Sequence, residues 1–473
     1  MTDIRAHHAQ LQGWLKAGWR SATRYPGSNM VGNGLTRFLA MPWIDPLCLL
    51  GMGWILPAAR CWAAAGSGDV AAFAAELSLP HVSSDMADRV RQTAELRQVA
   101  LAAQAQWIAA AFDGVGDLPV AERYRREAAH TYIGQRLAYL WFARRNRVHA
   151  AKLDVPAPHE IEALIDTYGD DPDAFFAPWP EPVAIERSQT IEHADVKEYW
   201  LRLPSPDAPE DTCWVHVYEG HSKNGAPIPS LIFGHGLAME MEMMRGDMRG
   251  YRGLAARGCR ILLPDAPGHN RRVAAGQYGG ESFMCRPPLS GLLHFQKSAR
   301  ELAAIIAWCH ETQAAPVALG GISLGALTAQ VAAQHLAHWP AISRPDAMML
   351  LTTTDKISSL TFTSSLAKVS GLGTAARKAG WADQEIALLG RFTDTVGPAP
   401  IDPAKIVLML GTRDDVTPYD GGKRLAECWN IPPDNLFVRG QGHFSAAIGL
   451  GSDPAPFGRI LAILKAQIGG SGQ

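Results

Sequence analysis

Gly321-Ile322-Ser323-Leu324-Gly325 sets a hydroxyl between two glycines where the apolar run VALGGI gives way to the helix-compatible ALTAQVAAQHLA. A serine on a sharp turn from strand to helix projects its oxygen away from its own backbone, and the helix N-terminus favours negative charge developing beside it. That arrangement suits nucleophilic attack on a carbonyl. Side chains at either glycine would strike neighbouring backbone as the turn closes. A serine in a glycine-rich turn also serves as a plain helix cap, so the reading depends on the partners Ser323 finds.

Three later stretches supply them. KIVLMLGTRDDVTPY puts Asp414 on the loop after an apolar run, where a carboxylate can hold an imidazole in its productive tautomer. Asp415, beside it, reads as a solvated loop charge, and Asp355, after the preceding apolar run, is the other candidate acid. NLFVRGQGHFSAAIG brings His443 in last; it would take the proton of Ser323 and return it to the leaving group. The chain order of serine, acid and histidine agrees with a G-x-S-x-G elbow. SLIFGHGLAME places His235-Gly236-Leu237 after another apolar run, so the backbone N–H groups of Leu237 and Leu324 are the expected oxyanion hole. His235 itself is expected to be structural.

These residues need a rigid frame. VKEYWLRL, WVHVY, SLIFG, CRILLP, VALGG, AMMLLT, KIVLML and NLFV alternate with helical segments, as do strands buried on both faces. The fold class expected is α/β, a mostly parallel sheet whose first pair is antiparallel, with ligands outside the carboxyl ends of the strands. Before residue 190 the texture is helical: Ser84 is a candidate N-cap, and Met86, Val90, Ala94, Leu101, Ala105 and Ile108 keep one stripe apolar. The domains expected are therefore 1–190, helical with a Pro- and Asp-rich connector, and 191–473, with 352–400 as a helical lid insertion.

Composition narrows the partners. A hydrophobic fraction of 47% and a charged fraction of 19% fit a globular chain, and 44 basic against 46 acidic residues leave no positive field for nucleic acid. Seven cysteines without C-x-x-C spacing argue against a disulfide framework and a thiolate zinc site. The N-terminal stretch lacks a secretory pattern, and the apolar run Leu47 to Leu56 is half a membrane span, so the expectation is a cytoplasmic protein without a transmembrane segment. Trp43 and Trp54 leave room for peripheral membrane contact, with burial against other helices as the plainer account.

On the motifs G-H-G-L, D-A-P-G-H-N-R-R, G-G-I-S-L-G, G-T-R-D-D-V-T-P and G-Q-G-H-F-S, the chain from about Lys197 onward resembles the α/β-hydrolase superfamily. The resemblance implies cofactor-free hydrolysis of an ester, thioester or amide through an acyl-enzyme on Ser323, with Asp414 and His443. The G-I-S-L-G and G-H-F-S-A pairing is similar to the group named α/β-hydrolase domain-containing 18, which implies lipid or other apolar acyl substrates. Helical N-terminal extensions also resemble the branch of pigment-pathway and pseudooxynicotine hydrolases, which implies carbon-carbon cleavage beside ketones; acyl transfer and a non-catalytic binding protein are further alternatives. Weaker signals are His269, Arg271 and Arg272, which could reach an anionic substrate group, with solvation or pairing with local acids as the plainer account, and Met239, Met241, Met243, Met244 and Met248, which suit either an acyl pocket or helix packing.

Overall fold

The computed structural model describes residues 39–222, 225–241 and 245–470. All eight apolar runs form strands of one sheet. Two short strands, β1 (Glu186–Arg187) and β2 (Ile191–Glu192), pair antiparallel with β3 (Val196–Ser205). β3 and β4 (Ala208–Gly220) make a long antiparallel hairpin, and β4 then lies antiparallel to β6 (Arg260–Pro264). From β6 onward the sheet is parallel, through β5 (Ser230–Gly234), β7 (Val317–Ile322), β8 (Ala347–Leu351), β9 (Ile406–Gly411) and β10 (Leu436–Arg439). The strand order is β1-β3-β4-β6-β5-β7-β8-β9-β10.

Alternation along the strands assigns side chains to two cores. Leu319, Leu350 and Leu408 face one side with Phe295, Ile306 and Leu327, whereas Ala318, Met349 and Val407 face the other with Phe457, Ile460 and Leu464. Residues one apart along a strand point to opposite faces, so central strands sandwiched by helices read as unbroken apolar runs. The connector belongs to the first core: it carries two short helices, His159–Tyr168 and Pro172–Phe175, and buries Ile161, Phe175 and Phe176 there.

Among the described residues, three longer helices precede the sheet: α1 (Ile44–Ala65), α2 (Ser84–Phe112) and α3 (Leu118–Gly134). Ser83, one residue before the expected cap, accepts from the N–H of Met86 at 3.4 Å, and Asp117 accepts from Val120 at 2.9 Å. α1 runs well beyond Leu47 to Leu56 and, by length and composition, is the one described helix apolar enough to cross a membrane. Its second half, Leu56 and Ala58 to Ala65, is buried in a third core together with Tyr278, Met284, Ala367 and Leu372 from much later in the chain. Trp43, Leu47 and Leu50 are exposed, while Trp54 packs edge-on against Trp141 with the Arg144 guanidinium over its face. Two helices flank the elbow, α4 (Leu289–Thr312) and α5 (Leu324–Gln334), and α6 (His443–Gly449) follows the last strand. Residues 352–400 contain four short helices, Leu360–Thr363, Ser365–Ser370, Leu372–Lys378 and Asp383–Thr393.

Candidate active site

Ser323 is the single residue between β7 and α5, at φ 55° and ψ −120°. A side chain at positive φ costs ~1–3 kcal/mol and persists only where its surroundings impose it. Here they do: the Ser323 N–H donates to Leu351 O at 3.0 Å and to Thr352 Oγ1 at 3.2 Å, at the end of the neighbouring strand. Thr352 is itself at φ 56°, and its hydroxyl donates to Leu351 O at 2.7 Å. The glycines are there for space: a Cβ on Gly325 would fall inside the backbone of Gly234, and one on Gly321 inside that of Gly325.

The hydroxyl meets an imidazole and a carboxylate. His443 Nε2 lies 2.8 Å from Ser323 Oγ, and His443 Nδ1 lies 2.8 Å from Asp414 Oδ2. Asp414 and His443 are 6% and 7% exposed, so water competes little for these bonds. Asp414 Oδ1 accepts from the N–H groups of Val416 at 2.9 Å and Thr417 at 2.8 Å, and Oδ2 also accepts from Thr417 Oγ1 at 2.8 Å. With every donor aimed at the carboxylate, Nδ1 carries the imidazole proton and Nε2 is left to accept from the serine. The rival acids are engaged elsewhere. Asp355 receives Arg424 at 2.7 and 2.9 Å, and Asp415 accepts from Ser365 Oγ at 2.8 Å.

Beyond β5, two neutral histidines fix the backbone of the second loop. His235 accepts from Ala266 N–H at Nε2 (3.2 Å) and donates from Nδ1 to Gly236 O (2.9 Å), a structural role as expected. His269 accepts from Ala238 N–H at Nε2 (3.2 Å) and donates to Pro267 O (3.0 Å). Burial pushes both imidazoles below their ordinary value, which keeps those acceptor nitrogens bare. The N–H groups of Gly236, Ala238 and Met239 all have acceptors, whereas that of Leu237 has none among the described residues. Leu324, first residue of α5, has no intrahelical acceptor for its own N–H. Both leucines border the same cavity as Ser323.

Of the two readings open for His269, Arg271 and Arg272, the structure shows local pairing and not a place in the cavity. His269 is fully buried, Arg271 pairs with Asp265 at 2.7 Å, and Arg272 is held by Asp211 and Glu301 at 2.7 and 2.6 Å. Met239 and Met241 pack beside the second core, with Met239 Sδ accepting from Gly236 N–H at 3.1 Å; the side chains of Met243, Met244 and Met248 lie outside the described residues. Thr352 and Thr417 had not been singled out. Thr417 had a signal, a hydroxyl three residues beyond the loop aspartate, but Thr352 had none.

A serine on the elbow after the fifth strand of the main run, an aspartate after β9 and a histidine after β10 complete the architecture. The fold is that of the α/β-hydrolases. No family model and no curated protein sequence matches the chain. Among solved structures it is similar to acetyl xylan esterase from Paenibacillus sp. R4, at 12% identity and a TM-score of 0.42, covering 62% of this chain and 92% of that one. It is also similar to acetyl xylan esterase 1 from Thermoanaerobacterium sp. JW/SL YS485, with 14% identity, a TM-score of 0.41 and coverage of 63% and 96%. An S-formylglutathione hydrolase from Agrobacterium tumefaciens gives 14%, 0.39, and 60% and 100%. Values this low transfer no activity, and chemistry has to be read from this chain's own residues.

The cavity at Ser323 has a volume of about 110 Å³. Phe283, Met284, Leu292 and Phe295 form one wall; Ile357 and Leu366, from the segment between β8 and β9, form another. Among the described residues, serine and threonine hydroxyls are its only side-chain polar groups, and no charged residue lines it.

Proposed function

We propose that this chain is a serine hydrolase that cleaves a carboxylic ester or thioester carrying an apolar acyl group. The observation that carries the proposal is the unbroken relay of 2.8 Å contacts from Asp414 through His443 to Ser323. Ser323 Oγ attacks the substrate carbonyl carbon as its proton passes to His443 Nε2, and the carbonyl oxygen, now an anion, accepts from the N–H groups of Leu237 and Leu324. Collapse breaks the bond to the leaving group, which takes the proton from His443. Water then repeats the sequence: it gives a proton to His443, attacks the acyl carbon and releases the acid, while Ser323 recovers its proton. Asp414 stays ionised and stabilises the imidazolium in both halves.

The uncharged lining supports an apolar acyl chain, since a buried carboxylate or ammonium would find no partner there. This agrees with the resemblance to the α/β-hydrolase domain-containing 18 group. The segment between β8 and β9 serves as the lid that shapes acyl specificity.

A fluorophosphonate probe should label the wild-type protein and leave Ser323→Ala unlabelled, while Asp414→Asn should lower kcat for activated esters by ~10⁴. Equal labelling of wild type and Ser323→Ala would remove Ser323 as nucleophile. A panel of p-nitrophenyl esters of rising chain length, run beside 1,3-diketones, tests the bond and the acyl preference.

A further inference from the structure

We infer that Asp45, on the first turn of α1, is a positioning residue for the general base His443; the inference rests on the serine hydrolase reading. His443 is the first residue of α6, and four contacts tie the start of that helix to the N-terminal part of the chain. Asp45 Oδ1 accepts from the N–H of Phe444 at 2.7 Å and of Ser445 at 3.2 Å, and Asp45 Oδ2 accepts from Ser445 Oγ at 2.5 Å. Just before the histidine, the Gln441 side-chain amide donates to Ala40 O.

Neighbouring residues are fitted to this carboxylate. The Ser445 hydroxyl that donates to Asp45 also accepts from Gly442 N–H at 2.9 Å, so the residues on both sides of His443 hang from one carboxylate. A Cβ on Gly442 would lie 2.5 Å from the Asp45 carboxyl carbon and 2.7 Å from both of its oxygens. Glycine and serine in G-H-F-S are thus the types the Asp45 contact demands. Asp45 is 8% exposed and touches no reacting atom. It fixes the N–H groups at the head of α6, and its charge is favourable at a helix N-terminus. The Cα of His443 sits between those anchored amides. Without them the short helix, only seven residues long, is free to shift against Ser323. Misplacement by ~1 Å costs ~10²-fold in rate.

The test uses the full chain with Asp45→Ala, Asp45→Asn and Ser445→Ala, each checked for folding by near-UV circular dichroism and melting temperature. Asp45→Ala is expected to lower kcat for p-nitrophenyl butyrate by ~10- to 100-fold with KM nearly unchanged, and to slow fluorophosphonate labelling of Ser323 in parallel. Asp45→Asn, which keeps the acceptor for Phe444 and Ser445, should recover most of that loss, and Ser445→Ala should fall between. The downfield proton resonance of the His443 to Asp414 hydrogen bond should broaden in Asp45→Ala. A lowered melting temperature with unchanged kcat, labelling rate and resonance in the folded variants would overturn the inference. If the wild type neither turns over esters nor labels, the hydrolase reading fails. The resonance then decides about Asp45 separately: movement sustains the positioning role and constancy removes it. Should Asp45→Ala not fold, Asp45→Asn and Ser445→Ala decide, and wild-type kinetics in both would count against the inference.

Discussion

His235, His269 and His294 form a buried row beside the loop that follows β5, with ring centres 4.9 and 6.1 Å apart, and none faces Ser323 as His443 does. Burial, helped by the Arg272 guanidinium, lowers His294 to about 3, and its Nε2 has no partner among the described residues. In the unfolded chain it titrates near ~6.5, so unfolding takes up a proton whenever the pH lies between the two values. The folded state is therefore at full advantage above ~6.5 and loses stability as the solution is acidified. His294→Phe, placed against the rings of Phe283 and Phe295, should make the decline in unfolding free energy between pH 6 and 4 shallower by up to ~1.4 kcal/mol per pH unit. Denaturant titrations that decline in parallel for both proteins would refute this. Residue types alone pointed to Ser323, Asp414 and His443 because each occupies a motif at the end of an apolar run. The same reasoning left His269 and its arginines between substrate contact and local pairing, since G-H-N-R-R reads identically whether its side chains face water or the buried acids Asp265 and Glu301.

The elbow joins a strand to a helix with one residue, and no other atom can move aside to admit a methyl group at its two glycines. Gly325→Ala should destabilise the protein by ~3 kcal/mol or more, read as a lower denaturant midpoint at unchanged m-value. A change within ~0.5 kcal/mol would show that Gly234 can yield. The strands were legible because burial on both faces writes itself as unbroken runs of Val, Leu, Ile and Met. Less legible was α1. Arg60 interrupts its apolar pattern, and the pairing that makes this charge tolerable lies with Glu281, 221 positions away. The antiparallel contact of β4 with β6 was equally hidden, because pairing between strands separated by a helix leaves no local mark.

Considered whole, the molecule is held together by α1. Arg60 reaches Glu281 at 2.7 Å and the carbonyl of Gly276, also at 2.7 Å, and pairs with Glu76 besides. Glu281 in turn accepts from the N–H groups of Lys152 and Tyr278, so the ion pair organises the loop that carries Phe283 and Met284 to the cavity. Burial outweighs the pull of Arg60 and raises the Glu281 carboxyl above the usual range. Arg60→Met would leave that carboxylate buried without its counter-charge and should cost ~3–5 kcal/mol, whereas Glu281→Gln, which keeps an acceptor for the two amides, should cost less. Equal stabilities by guanidinium unfolding would show the pair to be incidental. The contact between Asp45 and Ser445 spans 400 positions of the chain. During synthesis Ser323 leaves the ribosome 120 positions ahead of His443, and α1 waits longer still for the helix it grips. Until α6 is made, the hydroxyl of Ser323 has no imidazole beside it and the carboxylate of Asp45 has no helix to hold.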